Sequence, residues 1–396
     1  MTVTAEPLVY DPFSWTIQHN PYPTYKRLRE EAPVFRNEER DFWALSRYED
    51  VLAAHLDPVS LVSSRGVTLE GNEVGNPLLI LKDPPEHEWH RRVVSRVFNP
   101  RYVATLEPFI RSVAADLLDR GREAGGFDVV EDFSVQLPLQ VASELLGIPE
   151  EYRQPIHHLS DRLVARTEEG TASDDALAAM VELGAMLYEL VVERRKHPGD
   201  DVVSLMVTSP VVDDQGVEHY LTDDELAYRF LELAFAGHET VARLIPNGVV
   251  ALTWFPDQRD LLVADPSLVK NAVEEMLRWD APSHYQGRWS TRATEWHGVT
   301  VPAEARVILV TGAANHDPRV YPDPERFDVR RTIARTVSFG FGVHLCLGAN
   351  LARIEARIAF EELLARFPEW ELDEAGIVRL RSGNVRGLAA LPIRLH

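Results

Sequence analysis

The feature that most constrains this chain of 396 residues is the run FGFGVHLCLG at 339–348, which contains its single cysteine, Cys346. Three glycines let the backbone of this run bend sharply, and the helix-forming stretch ANLARIEARIAFEELLARF follows at once. Because a helix N-terminus carries partial positive charge, this position favours a thiolate over a thiol. The alternative is a small buried apolar residue without chemistry. The glycine-rich flanks favour a sulfur that is offered to a metal ion.

Basic residues near the cysteine, namely His344, Arg353 and Arg357, are expected to add positive potential. A zinc site is disfavoured, because there is no second cysteine and the histidines lack H-x-x-x-H spacing. A single cysteine also excludes an intrachain disulfide, which fits a reducing cytoplasm.

The composition predicts one large domain over residues 1–396, because no Pro/Gly/Ser-rich linker, charge block or internal repeat divides the chain. With 45% hydrophobic residues, the chain can bury a large core and still enclose a sizeable cofactor. The net charge of −21 argues against general nucleic-acid binding. No stretch approaches the roughly 20 apolar residues that cross a bilayer, and the N-terminus lacks a signal-peptide pattern. We therefore expect a cytoplasmic protein without membrane contact.

Apolar spacing with Pro or Gly boundaries predicts a mainly α fold with a small β region. The predicted helices are a short one that stops before Pro33, then 84–97, 101–122, 133–147, 151–168, 173–196, 221–255, 256–264, 267–280 and 349–367. Strand candidates lie near 33–36, 42–46, 299–301, 306–310 and 376–394. Thr222 and Glu225 form a capping box at the start of the longest helix.

Two segments on these helices carry unusual residues. In AGHET at 236–240, Gly237 costs about 1 kcal/mol relative to alanine, and Thr240 can bond back to a carbonyl and bend the helix. On its own this pattern indicates a mildly irregular core helix. In NAVEEMLRWDAP, Glu275 and Arg278 lie three residues apart and share a helix face. Alone, such a pair is common on solvated surfaces.

The cysteine run resembles the haem-binding loop of the cytochrome P-450 (P450) monooxygenases, whose pattern is F-x-x-G-x-H/R-x-C-x-G. Every fixed position is filled here, by Phe339, Gly342, His344, Cys346 and Gly348. The resemblance implies the cytochrome P-450 fold, a single large domain that encloses haem. It implies haem b (heme b, iron protoporphyrin IX) as the cofactor and Cys346 as its metal ligand. A thiolate ligand pushes electron density that favours O–O cleavage.

The resemblance implies roles for further residues. Glu239 and Thr240 match the acid and alcohol that deliver protons during dioxygen activation, and such delivery requires donors within hydrogen-bond reach. Haem propionates need cationic or hydrogen-bonding partners. The family positions for these partners are filled by His87, Arg91, Arg288 and His344.

Other family positions are structural. Glu275 and Arg278 match the E-x-x-R signature behind the haem, and Arg326 is expected to be the third member of that group. His90 is expected to point away from the propionates. By family analogy, the substrate pocket is expected to contain Leu78, Leu79, Ile80, Leu233, Phe235, Ala236, His284, Tyr285 and Leu388.

The implied activity is a monooxygenase that hydroxylates a hydrophobic small molecule, as a monomer, with electrons from a ferredoxin and a ferredoxin reductase. The alternatives are oxidative coupling, desaturation or ring formation by the same kind of enzyme, and a haem-binding sensor without turnover. Arginines near the cysteine run are either ordinary surface charge or a docking patch for an acidic electron donor. They are Arg91, Arg92, Arg330, Arg331, Arg335, Arg353 and Arg357.

Overall fold

Helices make up most of the fold in the computed structural model, which describes residues 7–69, 78–96, 98–164 and 173–395. The α-helices are α1 Trp15–His19, α2 Tyr22–Glu31, α3 Tyr48–His55, α4 Glu86–Ser95, α5 Pro100–Thr105, α6 Glu107–Ala124, α7 Gln136–Leu146, α8 Glu150–Val164, α9 Asp174–Lys196, α10 Val202–Thr208, α11 Asp223–Trp254, α12 Pro256–Ala264, α13 Val269–Trp279, α14 Thr311–Ala314 and α15 Ala349–Arg366. Short 3₁₀ helices cover Leu79–Leu81, Pro266–Leu268, Gly342–His344 and Glu374–Gly376, and a π-helical turn covers Val129–Ser134.

The strands are short and form small sheets. They are β1 Val34–Asn37, β2 Phe42–Leu45, β3 Leu61–Val62, β4 Gly126–Asp128, β5 Val211–Val212, β6 Glu218–His219, β7 Gln286–Ser290, β8 Thr294–Trp296, β9 Val299–Val301, β10 Arg306–Leu309, β11 Trp370–Leu372, β12 Val378–Arg379, β13 Leu388–Ala390 and β14 Pro392–Leu395. The predicted mainly α class with a small β region is confirmed.

The largest sheet has the strand order β1-β2-β10-β7-β3. β10 pairs in parallel with β2 and antiparallel with β7, where Val307 lies opposite Arg288. A three-stranded sheet joins distant segments, because β14 near the C-terminus pairs with both β11 and β4. The sheet containing β7 thus fixes the position of a predicted site residue, Arg288.

Helix α11 runs through the largest apolar core and carries the AGHET segment. Its predicted capping box is confirmed: Thr222 Oγ1 accepts from Glu225 N at 3.2 Å, and Glu225 Oε2 accepts from Thr222 N at 2.9 Å. Its 32 residues span about 48 Å. Gly248 lets α15 approach closely, since a Cβ there would lie 2.5 Å from Phe360. This contact ties the helix after the cysteine run to α11.

One helix prediction was wrong. The segment 101–122 was expected to be a single helix, but α5 ends at Thr105 and α6 begins at Glu107. Pro108 occupies the first turn of α6, where its missing N–H removes no bond, and it cannot continue a preceding helix. The predicted ends of helices 84–97 and 151–168 lie partly outside the described residues. Across the described ranges, no helix is both long and apolar enough to cross a membrane.

Candidate functional site

The cysteine run folds into a tight loop ahead of α15. Gly340 and Gly342 adopt φ values of +66° and +67°, which L-residues with side chains rarely adopt. The Cys346 N–H donates to the Phe339 carbonyl at 2.9 Å and closes the loop. A Cβ on Gly342 would lie 2.7 Å from the His55 carbonyl oxygen, so glycine is required at this position.

Cys346 is exposed, although the protein around its sulfur removes solvent from it. This desolvation raises the pKa of Cys346 above its usual value, and a hydrogen bond from Gly348 N–H, then Arg91 and Arg353, lowers it by less. In the free thiol, burial thus outweighs the Gly348 N–H and the nearby arginines. A metal cation that binds the sulfur directly would supply the missing stabilisation.

The expected positive potential is also reduced by pairing and burial. Arg357 binds Glu107 and Glu361 at 2.8 and 2.9 Å. Burial, followed by the Arg288 charge, lowers the pKa of His344 to about 2, so its imidazole is neutral at physiological pH. Arg353 binds a carboxylate of α13, Glu274.

The four predicted propionate partners lie on three separate elements. His87 and Arg91 come from α4, Arg288 from β7 and His344 from the cysteine loop. The rings of His87 and His344 lie 4.3 Å apart, centroid to centroid. Arg91 Nη2 donates to the Leu345 carbonyl at 2.5 Å. The fold thus joins α4 to the cysteine loop through two contacts.

Arg288 is buried, and among the described residues it has no carboxylate within ion-pair distance. Its guanidinium donates to the Gly287 carbonyl at 2.6 Å and lies 3.4 Å from His55 Nδ1. Burial lowers its pKa to about 10. A buried cation without a counter-ion is costly, so this site fits an anionic ligand group.

Three buried imidazole nitrogens around Arg288 have no hydrogen-bond partner in the part of the chain that is described. They are His55 Nε2, His87 Nδ1 and His344 Nε2. Buried polar atoms normally have partners. Together with Arg288, this donor set fits the two carboxylates of a haem, and it includes His55, which the sequence reasoning missed.

Besides the cysteine loop, helix α11 also offers an accessible surface. Ala236 and Thr240 are exposed and Leu233 and Gly237 partly so, although most of the helix around them is buried. The spacing of three and four residues places these positions on one face. An accessible apolar wall with one hydroxyl is therefore formed by Leu233, Ala236, Gly237 and Thr240.

Glu239 points away from this wall. Its side chain is buried, and its two carboxylate oxygens lie 3.0 and 3.1 Å from Arg243 Nη2. Arg243 Nη1 also donates to the Leu388 carbonyl at 3.0 Å. A Cβ on Gly387 would lie 2.6 Å from the Arg243 Cβ. Sequence reasoning missed Arg243, although its spacing of four from Glu239 is typical of helix ion pairs.

The structural group behind the site contains a different arginine from the predicted one. Arg278 binds Glu275 through Nε and Nη2 at 2.7 and 2.8 Å, and both side chains are fully buried. The third member is Arg331, whose Nε lies 3.1 Å from Glu275. Among the described residues, the contribution of Arg326 to this group is its backbone carbonyl, which accepts from Arg278 and Arg331. The prediction of Arg326 was wrong, because the guanidinium that binds Glu275 here is that of Arg331.

The predicted pocket residues divide into two sets. Leu78, Ile80, Leu233, Phe235 and Ala236 retain accessible surface. His284 and Tyr285 do not belong with them: Tyr285 packs in a cluster with Tyr25, and His284 Nδ1 lies 2.9 Å from the Tyr25 hydroxyl. Leu79 and Leu388 are buried in the main core.

His90 faces Arg229 of α11 at 3.5 Å, as expected for a residue outside the propionate group.

Comparison with known proteins decides the family. The chain is 39% identical to vitamin D(3) 25-hydroxylase of Pseudonocardia autotrophica over 398 aligned residues, covering 98% of this chain and 96% of the relative. It is 36% identical to 6-deoxyerythronolide B hydroxylase of Saccharopolyspora erythraea, covering 94% and 96%. This chain belongs to the cytochrome P450 family. The family model named Cytochrome P450 matches residues 262–392.

Solved P450 structures share the fold. The testosterone complex of CYP109E1 from Bacillus megaterium superposes with a TM-score of 0.88 at 29% identity, covering 97% of this chain and all of the other. The chain is therefore a P450 monooxygenase, a class whose cofactor is a haem with a thiolate ligand.

Proposed function

We propose that this P450 hydroxylates a hydrophobic small molecule at the accessible face of α11. The observation that carries this proposal is the apolar wall formed by Leu233, Ala236 and Gly237, with Thr240 as its hydroxyl. Small-molecule sites typically combine apolar walls with a few polar groups. Two relatives are named as hydroxylases of vitamin D(3) and 6-deoxyerythronolide B, and testosterone occupies a related structure. A steroid or a macrolide is therefore the substrate class to examine first.

The proposed cofactor is haem b. Cys346 would hold its iron, while His87, Arg91, Arg288 and His344 would hold its propionates. Bound there, the haem supplies the redox chemistry that activates dioxygen. This assignment is supported by the buried Arg288, which has no carboxylate partner among the described residues, and by the imidazole nitrogens without hydrogen-bond partners in the same ranges.

For proton delivery, we infer that Thr240 and Glu239 have different positions and tasks. Thr240 presents its hydroxyl at the accessible wall, where it can donate a hydrogen bond. Glu239 lies behind the wall, and Arg243 holds its carboxylate. The carboxyl group is therefore oriented by its partner, and Thr240 is the group that faces the reacting molecule.

We further infer that the electron donor is acidic, a ferredoxin reduced by a ferredoxin reductase. Beside the cysteine loop lies an open groove of about 500 Å³. Its lining includes Arg91, Arg92 and Arg96 with Gly342 and Val343. Arg92 donates to the carbonyls of Val212 and Glu88, so its charge is not neutralised by a carboxylate there. Such a groove favours an acidic partner and salt-sensitive association.

Two experiments test these proposals. The purified protein, supplied with a ferredoxin, its reductase and a nicotinamide reductant, is incubated with a panel of steroids and macrolides after spectral titration selects those that bind. A product heavier by one oxygen atom is expected. A product that has lost two hydrogens would indicate desaturation or coupling in place of hydroxylation.

The second experiment measures the rate at which the ferredoxin reduces the P450. Arg96→Glu is expected to slow this reduction and to weaken the salt dependence of its rate. Arg292→Glu lies outside the groove and is expected to change neither.

A further inference from the structure

A buried histidine outside the four predicted propionate partners faces the same site. His55 is the last residue of α3, and its side chain is buried. Its ring lies against the cysteine loop, since a Cβ on Gly340 would lie 3.3 Å from His55 Cε1. Its Nδ1 lies 3.4 Å from Arg288 Nη2.

The chemistry of these two partners fixes the position of the imidazole proton. A guanidinium can only donate, so Nδ1 of His55 must be the acceptor. Burial, followed by the Arg288 charge, lowers the pKa of His55 to about 3, which keeps the ring neutral at physiological pH. The single proton of the neutral ring therefore lies on Nε2.

The Nε2 atom is buried, and it has no hydrogen-bond partner among the residues that the structure describes. Leaving such a donor unsatisfied is costly. The side chains that act electrostatically on His344 at this site are Arg288, His87, Arg91 and His55, which provide positive charge or imidazole. The Asp83 carboxylate also acts on Arg288 and His87, but its oxygens accept from Ser63 N and Ser64 N at 2.7 and 3.2 Å. A carboxylate would accept from this N–H and would also balance the charge of the buried Arg288.

We propose that the Nε2–H of His55 donates a hydrogen bond to a propionate carboxylate of the bound haem. His55 is thereby an additional cofactor-binding residue, and its Nδ1 also orients Arg288 toward the same carboxylate. This inference rests on the proposed haem site.

The experiment measures the rate of haem transfer from the ferric holoenzyme to excess apomyoglobin. His55→Leu removes both nitrogens, and His55→Phe does so while keeping a ring against Gly340. Both variants are expected to lose haem at least about tenfold faster than the wild type, as for loss of a hydrogen bond to a charged group. His55→Gln retains an acceptor for Arg288 and an N–H donor, so it is expected to stay within about threefold of the wild type.

A second readout separates this role from a general loss of packing. The propionate bending band in the resonance Raman spectrum of the holoenzyme is expected to shift in His55→Leu and His55→Phe. The control His316→Leu removes another buried imidazole, one that bonds to the Gly312 carbonyl, and it should leave that band in place.

The proposal is overturned if the Leu and Phe variants keep haem as the wild type does. It is equally overturned if they lose haem faster while the propionate band stays unchanged, because His55 would then act only through packing. A wild-type protein that binds no haem would instead contradict the proposed function itself.

Discussion

Glu239 and Arg243 form an ion pair within α11, with Arg243 Nη2 at 3.0 and 3.1 Å from the two carboxylate oxygens and both side chains 3% exposed. The pair lies one residue from the Thr240 hydroxyl, and it joins α11 to β13 through the Leu388 carbonyl. A buried carboxylate beside the proposed reaction wall is thus fixed by a partner on its own helix.

Removing one member of this pair should be more damaging than removing both. Arg243→Met leaves the Glu239 carboxylate buried without a counter-ion, and we expect a loss of about 3–5 kcal/mol in the free energy of unfolding. The double variant Glu239→Leu/Arg243→Met should recover most of this loss. Urea unfolding of the holoenzymes measures both values. Equal stability of Arg243→Met and the wild type would contradict the buried pair.

Loss of the Thr240 hydroxyl should uncouple reductant consumption from product formation. In Thr240→Ala the accessible wall lacks its proton donor, so we expect reductant to be consumed with the product yield per reductant reduced at least about tenfold. Thr240→Ser keeps the hydroxyl and should keep the yield near that of the wild type. Product and reductant are quantified in the same reaction, and an unchanged ratio in the alanine variant would remove the proposed role of Thr240.

Arg331 and Arg326 provide a matched comparison behind the site. Arg331→Ala removes a guanidinium 3.1 Å from the fully buried Glu275, and we expect about 3 kcal/mol of destabilisation. Arg326→Ala leaves its carbonyl in place, so its cost should stay below about 1 kcal/mol. Denaturant titration of both variants tests this ranking, and the reverse order would restore the sequence-based assignment.

Glu355 predicts a specific pH dependence. It is buried in α15, both carboxylate oxygens lack partners among the described residues, and burial raises its pKa well above the usual value. The unfolded chain ionises this group above about pH 4.3 whereas the fold keeps it protonated, so its contribution to stability is present below that pH and is lost as the pH rises.

Glu355→Gln should remove that loss. Its stability relative to the wild type is expected to increase between about pH 5 and about pH 8, with a slope of at most about 1.4 kcal/mol per pH unit. Urea unfolding across this range measures the difference. The exposed Glu369→Gln serves as the control and should show a flat difference. A flat difference for Glu355→Gln as well would show that the carboxyl ionises normally in the fold.

Local signals predicted the helices well. The capping box of Thr222 and Glu225 and the apolar run behind it fixed the start of α11, because both depend on neighbours along the chain. Short strands such as β4 and β11 were not predicted, since each has only three residues and exists through pairing with β14 at the far end of the sequence. The break at Pro108 had a local signal, its proline, which the apolar spacing on both sides outweighed.

The site residues likewise include some that local motifs predicted and others that only tertiary packing brings in. Motif spacing placed His87, Arg91, Arg288 and His344 in segments that the structure brings to the cysteine loop. His55 and Arg331 belong to no motif of the chain, and they reach the site through tertiary packing of α3 and of the segment before the cysteine loop. The net pKa direction of Cys346 likewise depends on burial, which sequence spacing does not reveal.

The most direct test of the account is the absorption spectrum of the reduced, carbon-monoxide-treated holoenzyme, recorded for the wild type and for Cys346→Ser. The wild type should show the red-shifted Soret band that a thiolate ligand gives, and the serine variant should lack it while the protein remains folded. A wild-type spectrum without that band, or a serine variant that retains it, would contradict Cys346 as the ligand of the haem iron.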